Sequence, residues 1–535
     1  MPATEKVRFK RVGRRWWWIG GIVFFLLIGL AVTTKVLRSH AGPILRARVV
    51  ETLATRFHGR VELASFHVWL ADGLEVSGSG LRIYGQSDPN IQEPGIQPLI
   101  GLEEFRFRTG LISLFRSPMH VETVHLKGLV LNIPPAGDRQ QMKNVTPRGG
   151  KIRIFVDQFV SEDAKLVINT SRLDKLPLEF AIGNLKMKDI GSGQPLEFEA
   201  TLINPKPVGN ISSSGTFGPF QADSPRDTPV KGTYSFRDAD LGTIKGIGGI
   251  LSSTGRYAGN LGSIGVDGET DTPDFRLAVS GHTVSLHTEF HATVDGTSGN
   301  TYLQPVKAKF LNSSFVARGS VVRVKEPNGH EVALDVSIDN ARIEDLLKLG
   351  VRTDPPMMAG AIRSKIKFDL PAGAADIAQR LKLAGNFHVS AAHFTNEKIQ
   401  EKVDALSLRS QGEAKLAKEN ARDDTRKNIR SDLEGTFRLE RGILSFSQLN
   451  FEVPGTRVSM TGEYSLDGAT FDFHGKARLD AKLSHMVTGW KAILLKPADP
   501  FFSKHGAGTE VPFKITGTRS EPHFGLDFGH KDDKK

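Results

Sequence analysis

Histidine is the side chain in this sequence best suited to metal binding or proton transfer, and its densest group is His282, His287 and His291. On a strand, His287 and His291 would share a face while His282 points to the other, because successive side chains alternate. We therefore predict solvent-facing strand histidines and no metal site.

A set of acidic residues forms the second candidate, because carboxylate oxygens are the ligands that Ca²⁺ prefers. The stretches FRDADLG and GVDGETDTPDF do not fit the D-x-D-x-D-G-x5-E spacing of a calcium loop. Asp-Gly and Asp-Thr-Pro-Asp are also typical of turns and hairpins, so we predict turns here. The residues concerned are Asp238, Asp240, Asp267, Glu269, Asp271 and Asp274.

Recognised catalytic motifs are absent from the sequence: it has no GxSxG, no HExxH, no P-loop and no GxGxxG that follows a strand. It also has no cysteine, which excludes disulfides, zinc knuckles, iron–sulfur clusters and thiol nucleophiles. The sequence therefore predicts a protein that is not an enzyme, with no cofactor and no metal.

Alternation of apolar and polar residues dominates the chain after Gly59 and predicts about 25 strands, each with one apolar face. Clear examples are VALDVSI at 332–338, FRLAVS at 275–280 and IRSKIKF at 362–368. Strands that are apolar on one side only favour an antiparallel sheet. At about 4.8 Å per strand, a single sheet of this size would be elongated.

Glycine, a polar residue and an aromatic residue recur along these strands at irregular spacing. Glycine inside a strand permits a bulge or a sharp bend, so the repeat predicts a strongly curved sheet. Its members are Gly215-Thr216-Phe217, Gly232-Thr233-Tyr234, Gly385-Asn386-Phe387, Gly435-Thr436-Phe437 and Gly462-Glu463-Tyr464.

Helical patterns are few. Residues 43–58 repeat apolar side chains every four positions and predict an amphipathic helix that ends at Gly59. This helix would either lie on a membrane surface or cap the end of a sheet. Shorter helices are predicted around 342–349, 374–383 and 482–495, and the polar stretch 411–432 is predicted as an exposed excursion between strands.

An apolar segment near the N-terminus predicts a membrane anchor at 16–37. The 17 residues from Trp16 to Val32 are uncharged, and with two threonines they reach about 28 Å, close to the bilayer hydrocarbon thickness. Six basic residues precede the segment, which places the N-terminus in the cytoplasm and the body across the inner membrane, in the periplasm. The anchor residues are Trp16, Trp17, Trp18, Phe24, Phe25, Leu26 and Leu27.

A cleavable signal peptide is the alternative to this anchor, with small residues at Ser39-His40-Ala41 or Gly29-Leu30-Ala31. The apolar run is longer than a signal peptide usually has, and the tryptophans suit a resident span, so we expect the anchor to be retained. In both cases the rest of the chain is exported across the inner membrane.

Charge is distributed unevenly along the chain. The net charge is +11, and residues 1–60 contribute ten of these charges. A nucleic-acid-binding body would carry its excess on the folded part. The remaining residues are close to neutral, so nucleic acid is not an expected partner.

The order of these segments resembles that of bacterial AsmA-like proteins. The resemblance rests on the N-terminal span, on ILRARVVETLATRFHGRVEL and most closely on the last third of the chain. There, DLEGTFRLERGILSFSQLNFEVPGTRVSMTGEYSLDGATFDFHGKARLDAKLS is followed by VTGWKAILLKPADPFFSKHGAGTEVPFKITGTRSEPHFGLD. This part resembles an AsmA-like C-terminal domain, with a short helix and a closing PFKITGTRSEPHFGLD segment.

The resemblance implies a single-pass inner-membrane protein whose periplasmic body supports outer-membrane biogenesis. The wider group is similar to bridge-like lipid-transfer proteins, in which a curved sheet forms a groove lined by apolar side chains. On this basis phospholipid and envelope proteins are the expected partners. The alternative is a scaffold that modulates outer-membrane protein assembly through contacts alone, with a closed core and no lipid.

The expected fold is mainly β: an N-terminal transmembrane helix and an amphipathic helix, then an elongated, curved, groove-like antiparallel sheet with a few short helices. The predicted divisions are 1–15, 16–37, 43–58, 59–205, 206–372, 373–529 and the tail 530–535. The candidate lipid-facing residues are Val332, Leu334, Val336, Ile338, Phe437, Phe446, Phe451, Phe471 and Phe473.

Overall fold

Strands make up most of the structure, a computed structural model, so the expectation of a mainly β fold is confirmed. The contacts divide the chain into two compact units, Met1–Leu202 and Ile203–Lys535. The structure describes residues 46–47, 49–51, 53–54, 59–70, 73–84, 97–110, 119–133, 154–169, 178–191, 194–219, 221, 224–324, 329–420, 429–465, 470–486, 508–518 and 521–527.

The predicted membrane anchor at 16–37 lies outside the described residues. In the part of the chain that is described, no helix combines the length and the apolarity needed to cross a bilayer. Of the predicted amphipathic helix, residues 46–47, 49–51 and 53–54 are helical. The N–H of Gly59 donates to the carbonyl of Ala54 at 3.3 Å, next to the predicted helix end.

The described residues of unit 1 form a sheet of eight strands, and a further strand, β9 (Leu196–Pro205), contains the boundary with unit 2. The eight are β1 (Val61–Glu62), β2 (Ser65–Leu70), β3 (Leu74–Ile83), β4 (Ile100–Thr109), β5 (Met119–Lys127), β6 (Val130–Ile133), β7 (Ile154–Ile168) and β8 (Leu178–Ile190).

Pairing in unit 1 departs from the expected antiparallel order at one place. β1 and β2 pair with β3 antiparallel, as do β3 with β4 and β7 with β8. β5 and β6, however, pair with β7 in parallel. The connection from Ile133 to Ile154 is long enough to return the chain to the same end of the sheet, which a parallel pair requires.

Unit 2 is an antiparallel meander in which almost every strand pairs with its neighbours along the chain. Its strands are β10 (Val208–Phe217), β11 (Pro229–Asp240), β12 (Ile247–Gly248), β13 (Ile250–Asn260), β14 (Ser263–Leu277), β15 (Thr283–Val294), β16 (Thr301–Phe310), β17 (Ser313–Val324), β18 (Gly329–Arg342), β19 (Met358–Leu370), β20 (Lys382–Phe394), β21 (Ser431–Glu440), β22 (Ile443–Val453), β23 (Thr456–Ser465), β24 (Thr470–Leu479), β25 (Thr509–Thr518) and β26 (Pro522–Leu526).

Short turns join many of these strands and set their register. Between β21 and β22, Arg441 and Gly442 both have positive φ, at 52° and 75°. That geometry matches the right-handed twist of a two-residue hairpin.

The described part of unit 2 contains four helices: α1 (Ile343–Gly350), α2 (Ile377–Arg380), α3 (Glu397–Ser410) and α4 (Ala414–Asn420). Single 3₁₀ turns lie at Pro225–Asp227, Leu241–Thr243 and Leu483–Met486. α1 confirms the helix predicted around 342–349, and α2 is a shorter form of the one around 374–383. Of the predicted helix at 482–495, only the 3₁₀ turn lies within the described residues.

The helical hairpin of α3 and α4 corrects the prediction for 411–432. That stretch begins with α4, in which Ala414 and Ala417 are buried, whereas residues 421–428 lie outside the described residues. α3 was not expected from the sequence, because its buried side is polar: Gln400, Asp404 and Ser407 are buried. A search for an apolar stripe does not find such a helix.

The acidic stretch at 267–274 is also corrected, since Asp267, Glu269 and Asp271 lie within β14 and not in a turn. They point to the solvent side, where a strand tolerates charge as well as a turn does. The alternation predicted at 275–280 stops at Leu277, the last residue of β14, and Val279 is 59% exposed.

Glycines of the predicted repeat lie directly opposite aromatic residues on neighbouring strands. Gly385 is paired with Phe437, and Gly435 with Phe387. A Cβ at Gly385 would stand 2.3 Å from the carbonyl oxygen of Lys365. Glycine is therefore required for the neighbouring strand to approach this closely.

Candidate functional site

All nine candidate lipid-facing residues lie on one face of unit 2. They belong to β18, β21, β22 and β24, and the strand register connects them through the strands between. We call this side of β18–β26 the apolar face and its reverse the polar face. One register line on the apolar face, the central row, runs through Val336, Ile366, Gly385, Phe437, Phe446, Gly462, Phe473, Ile515 and Phe524.

Burial varies among the nine candidates. Ile338 and Phe473 are buried, at 4% and 9% exposure, and the other seven are half-buried. At the last strand, Phe524 of the central row is 75% exposed and Leu526 beside it is 49% exposed. The apolar face therefore retains exposed area, which a fully enclosed core would not.

Aromatic rings contact one another along the central row. The ring centroids of Phe387 and Phe437 are 6.2 Å apart, and those of Phe446 and Phe473 are 6.0 Å apart. Glycines lie between them in the register, so a ring on one strand can lie over the glycine on the next. The result is a continuous surface of aromatic and aliphatic side chains.

One margin of the apolar face is closed by α1. A cluster of buried residues that includes Ile338, Ile362 and Val389 packs there against Ile343, Leu346 and Leu347 of the helix. Asp345 fixes α1 to the end of β17, because it accepts hydrogen bonds from the Ser313 hydroxyl at 2.7 Å and the Asn312 N–H at 3.0 Å. This carboxylate anchors the helix.

Four further residues lie on the apolar face but were not among the predicted lipid-facing residues: Ile366, Phe368, Ile515 and Phe524. The alternation of IRSKIKF and PFKITGT places Ile366, Phe368 and Ile515 on the apolar side of their strands. What the sequence alone does not supply is the register that places them beside Phe437 and Phe473.

Charged side chains occupy the opposite face in cross-strand pairs. His287 and His291 of β15 accept or donate hydrogen bonds at 2.7 Å to Asp271 and Asp267 of β14. The hydrogen bond from His291, with a second from Arg256, lowers the pKa of Asp267. The prediction of a strand histidine is wrong for His282, which precedes β15 and lies 3.1 Å from the carbonyl of Lys348. Among the described residues, no cluster of three or more His, Asp or Glu has a geometry that would hold a metal.

His474 joins the last strands on the polar face. Its Nδ1 lies 2.7 Å from Asp527, just after β26, and its Nε2 lies 3.1 Å from Asp472. The hydrogen bond with Asp527 is the main reason why the pKa of His474 is raised, and Asp472 adds to it. The imidazole therefore ties the terminal strand to β24.

Comparison of the chain with protein-family models, with curated proteins and with solved structures finds no match.

Proposed function

We propose that this chain is a membrane-anchored, AsmA-like periplasmic protein whose apolar face binds phospholipid acyl chains and conducts them between the inner and outer membranes. In this proposal the sheet of unit 2 is curved into a groove, and the apolar face is its inner wall. The function served is outer-membrane biogenesis.

The observation that carries the proposal is the central row. It crosses nine strands without a charged residue, and most of its large side chains are only half-buried. At about 4.8 Å between strands, the row is roughly 38 Å long. That exceeds the half-bilayer thickness of about 15 Å that one acyl chain spans, so lipid tails fit the surface in size as well as in polarity.

Two further features support the proposal. Glycines such as Gly385 and Gly462 bring neighbouring strands close on the apolar face, which favours strong curvature. The positive charge of residues 1–60 and the uncharged segment that starts at Trp16 suit a chain held at the inner membrane.

The second candidate function is a protein-assembly scaffold without lipid. The packed cluster under α1 favours it, because closed packing of that kind needs no ligand. Under this alternative, substitutions on the polar face would change function, and charges placed on the apolar face would act only by unfolding the protein.

A double substitution distinguishes lipid conduction from the scaffold function. Phe437→Asp with Phe446→Asp puts charge at the middle of the central row, where burying it against acyl chains is costly. With the full-length chain in donor vesicles, we expect phospholipid transfer to acceptor vesicles to fall by about tenfold or more. The matched control is Ser459→Asp with Thr461→Asp, two exposed positions on the polar face of β23.

Circular dichroism and limited proteolysis establish that both double variants are folded. Parent-level transfer by a folded Phe437→Asp, Phe446→Asp variant would contradict lipid conduction. Absence of transfer by the folded parent chain would favour the scaffold, which moves no lipid.

A further inference from the structure

A cavity of about 690 Å³ lies against β18–β22. Its lining includes Val336, Ile366, Gly385 and Phe437 of the central row together with the residues that alternate with them. The side chains of the alternating residues point away from the apolar face. We call this cavity the cationic pocket, and its polar lining residues are Asp335, Ser337, Lys365, Lys367, Asn386, Thr436, Arg438, Ser445 and Ser447.

The strand register brings three basic residues to this pocket. Lys367 of β19 and Arg438 of β21 are both in register with Ala384 of the strand between them, so their backbones are about 10 Å apart. Lys365 lies two positions from Lys367 and is in register with Asn386. The small side chain of Ala384 leaves open the space between Lys367 and Arg438.

Several other cations on the polar face have carboxylate partners. Lys382 pairs with Glu440 at 3.4 Å, and Arg457 with Glu452 at 2.9 Å. A second cavity of about 730 Å³, at the ends of β21–β25, contains Arg457 and Arg478, both of which have carboxylate partners. Within the described ranges, Lys365, Lys367 and Arg438 have no carboxylate within 4.0 Å.

Charge and hydrogen-bonding groups in the pocket suit one class of ligand. Three cations against the single carboxylate of Asp335 give the lining a net charge of +2. The hydroxyls of Ser337, Thr436 and Ser447 and the amide of Asn386 add neutral donors. A phosphate monoester carries close to two negative charges at neutral pH and has three acceptor oxygens, and arginine and lysine are the usual groups that bind it.

We propose that the cationic pocket binds a phosphate monoester through Lys365, Lys367 and Arg438. The ligand is either a soluble phosphorylated compound or the headgroup of a lipid such as phosphatidic acid. By register, the three basic side chains alternate with the central row and point to the polar face, so the proposal does not rest on lipid conduction.

Isothermal titration of the full-length chain in phosphatidylcholine nanodiscs tests the proposal. The probes are glycerol 3-phosphate and dihexanoyl phosphatidic acid, which share the monoester and differ in the acyl chains. We expect binding with a Kd below about 1 mM. Lys367→Gln and Arg438→Gln should each weaken it about tenfold, because a charge-assisted hydrogen bond is lost.

The matched control is Lys382→Gln, which removes an exposed cation of the same face that is already paired with Glu440, and it should bind like the parent. Equal affinity for the two probes identifies a soluble phosphate compound, and preference for the lipid identifies a headgroup. Absence of binding by both probes, or binding that Lys367→Gln and Arg438→Gln leave unchanged, would overturn the proposal.

Discussion

His474 shows how single residues secure the end of the sheet. β26 pairs only with β25 within the described residues. The hydrogen bonds of His474 to Asp527 and Asp472 add a connection from β24, across β25, to the end of β26. Because the imidazolium is the form that both carboxylates favour, this tie depends on pH.

The raised pKa of His474 fixes the direction of that dependence. A histidine whose pKa is higher in the folded state stabilises the fold at pH values below its ordinary pKa of about 6.5. This stability is lost as the pH rises through the raised pKa. We therefore predict that β26 amides exchange faster at pH 8.5 than at pH 6, after correction for intrinsic rates. In His474→Gln this difference should disappear, whereas His523→Gln should keep it; equal protection of the parent at both pH values would contradict the role.

Glycine at position 385 has a comparable local effect. Gly385→Ala puts a Cβ 2.3 Å from the Lys365 carbonyl oxygen, so the strands must separate at a cost of about 1–3 kcal/mol. We expect a lower thermal unfolding midpoint for the full-length chain. Gly350→Ala, with no atom within 4 Å of the new Cβ, should leave the midpoint unchanged, and an equal effect of the two would refute the close-approach argument.

Among the elements, the strands were the most predictable part of the fold and the helices the least. Alternation found β18 and β19 because each has one apolar side and one polar side. The turn predicted at 267–274 from Asp-Gly and Asp-Thr-Pro-Asp was wrong, because acidic residues are tolerated equally on the solvent side of a strand such as β14. α3 was missed because its buried side carries Gln400 and Asp404, which share the distant partner Ile429.

α3 is held to the strand ends by those polar groups. Asp404 accepts hydrogen bonds from the Gln400 amide at 2.7 Å and from the N–H of Ile429 at 3.0 Å. Ser407 donates to the carbonyl of Pro454 at 2.7 Å, in the turn before β23. The helix therefore satisfies strand-end groups that would otherwise be buried without partners.

Asp404→Ala tests this role for α3. It leaves the half-buried Ile429 N–H without its acceptor, which costs about 1–3 kcal/mol. We predict a lower unfolding midpoint and faster amide exchange at 429–433. Lys402→Ala, at an exposed position of the same helix, provides the control, and identical behaviour of the two variants would show that the helix is not held in this way.

At the scale of the whole molecule, the sequence predicts a one-faced β body, and the structure adds the register that turns separate apolar faces into one surface. Phe437 and Phe473 are far apart along the chain, and only the pairing through Phe446 and Gly462 aligns them. Periodicity within one strand carries no information on that alignment. The predicted divisions, the anchor and the function remain predictions.

The central claim is that the apolar face contacts lipid, and neighbouring residues of β21 test it directly. A photoreactive phenylalanine analogue at Phe437 faces the central row, whereas the same group at Thr436 points to the polar face. After irradiation of cells that contain the full-length chain, we predict phospholipid adducts at position 437 and none at 436. Adducts at neither position, or equally at both, would contradict the account.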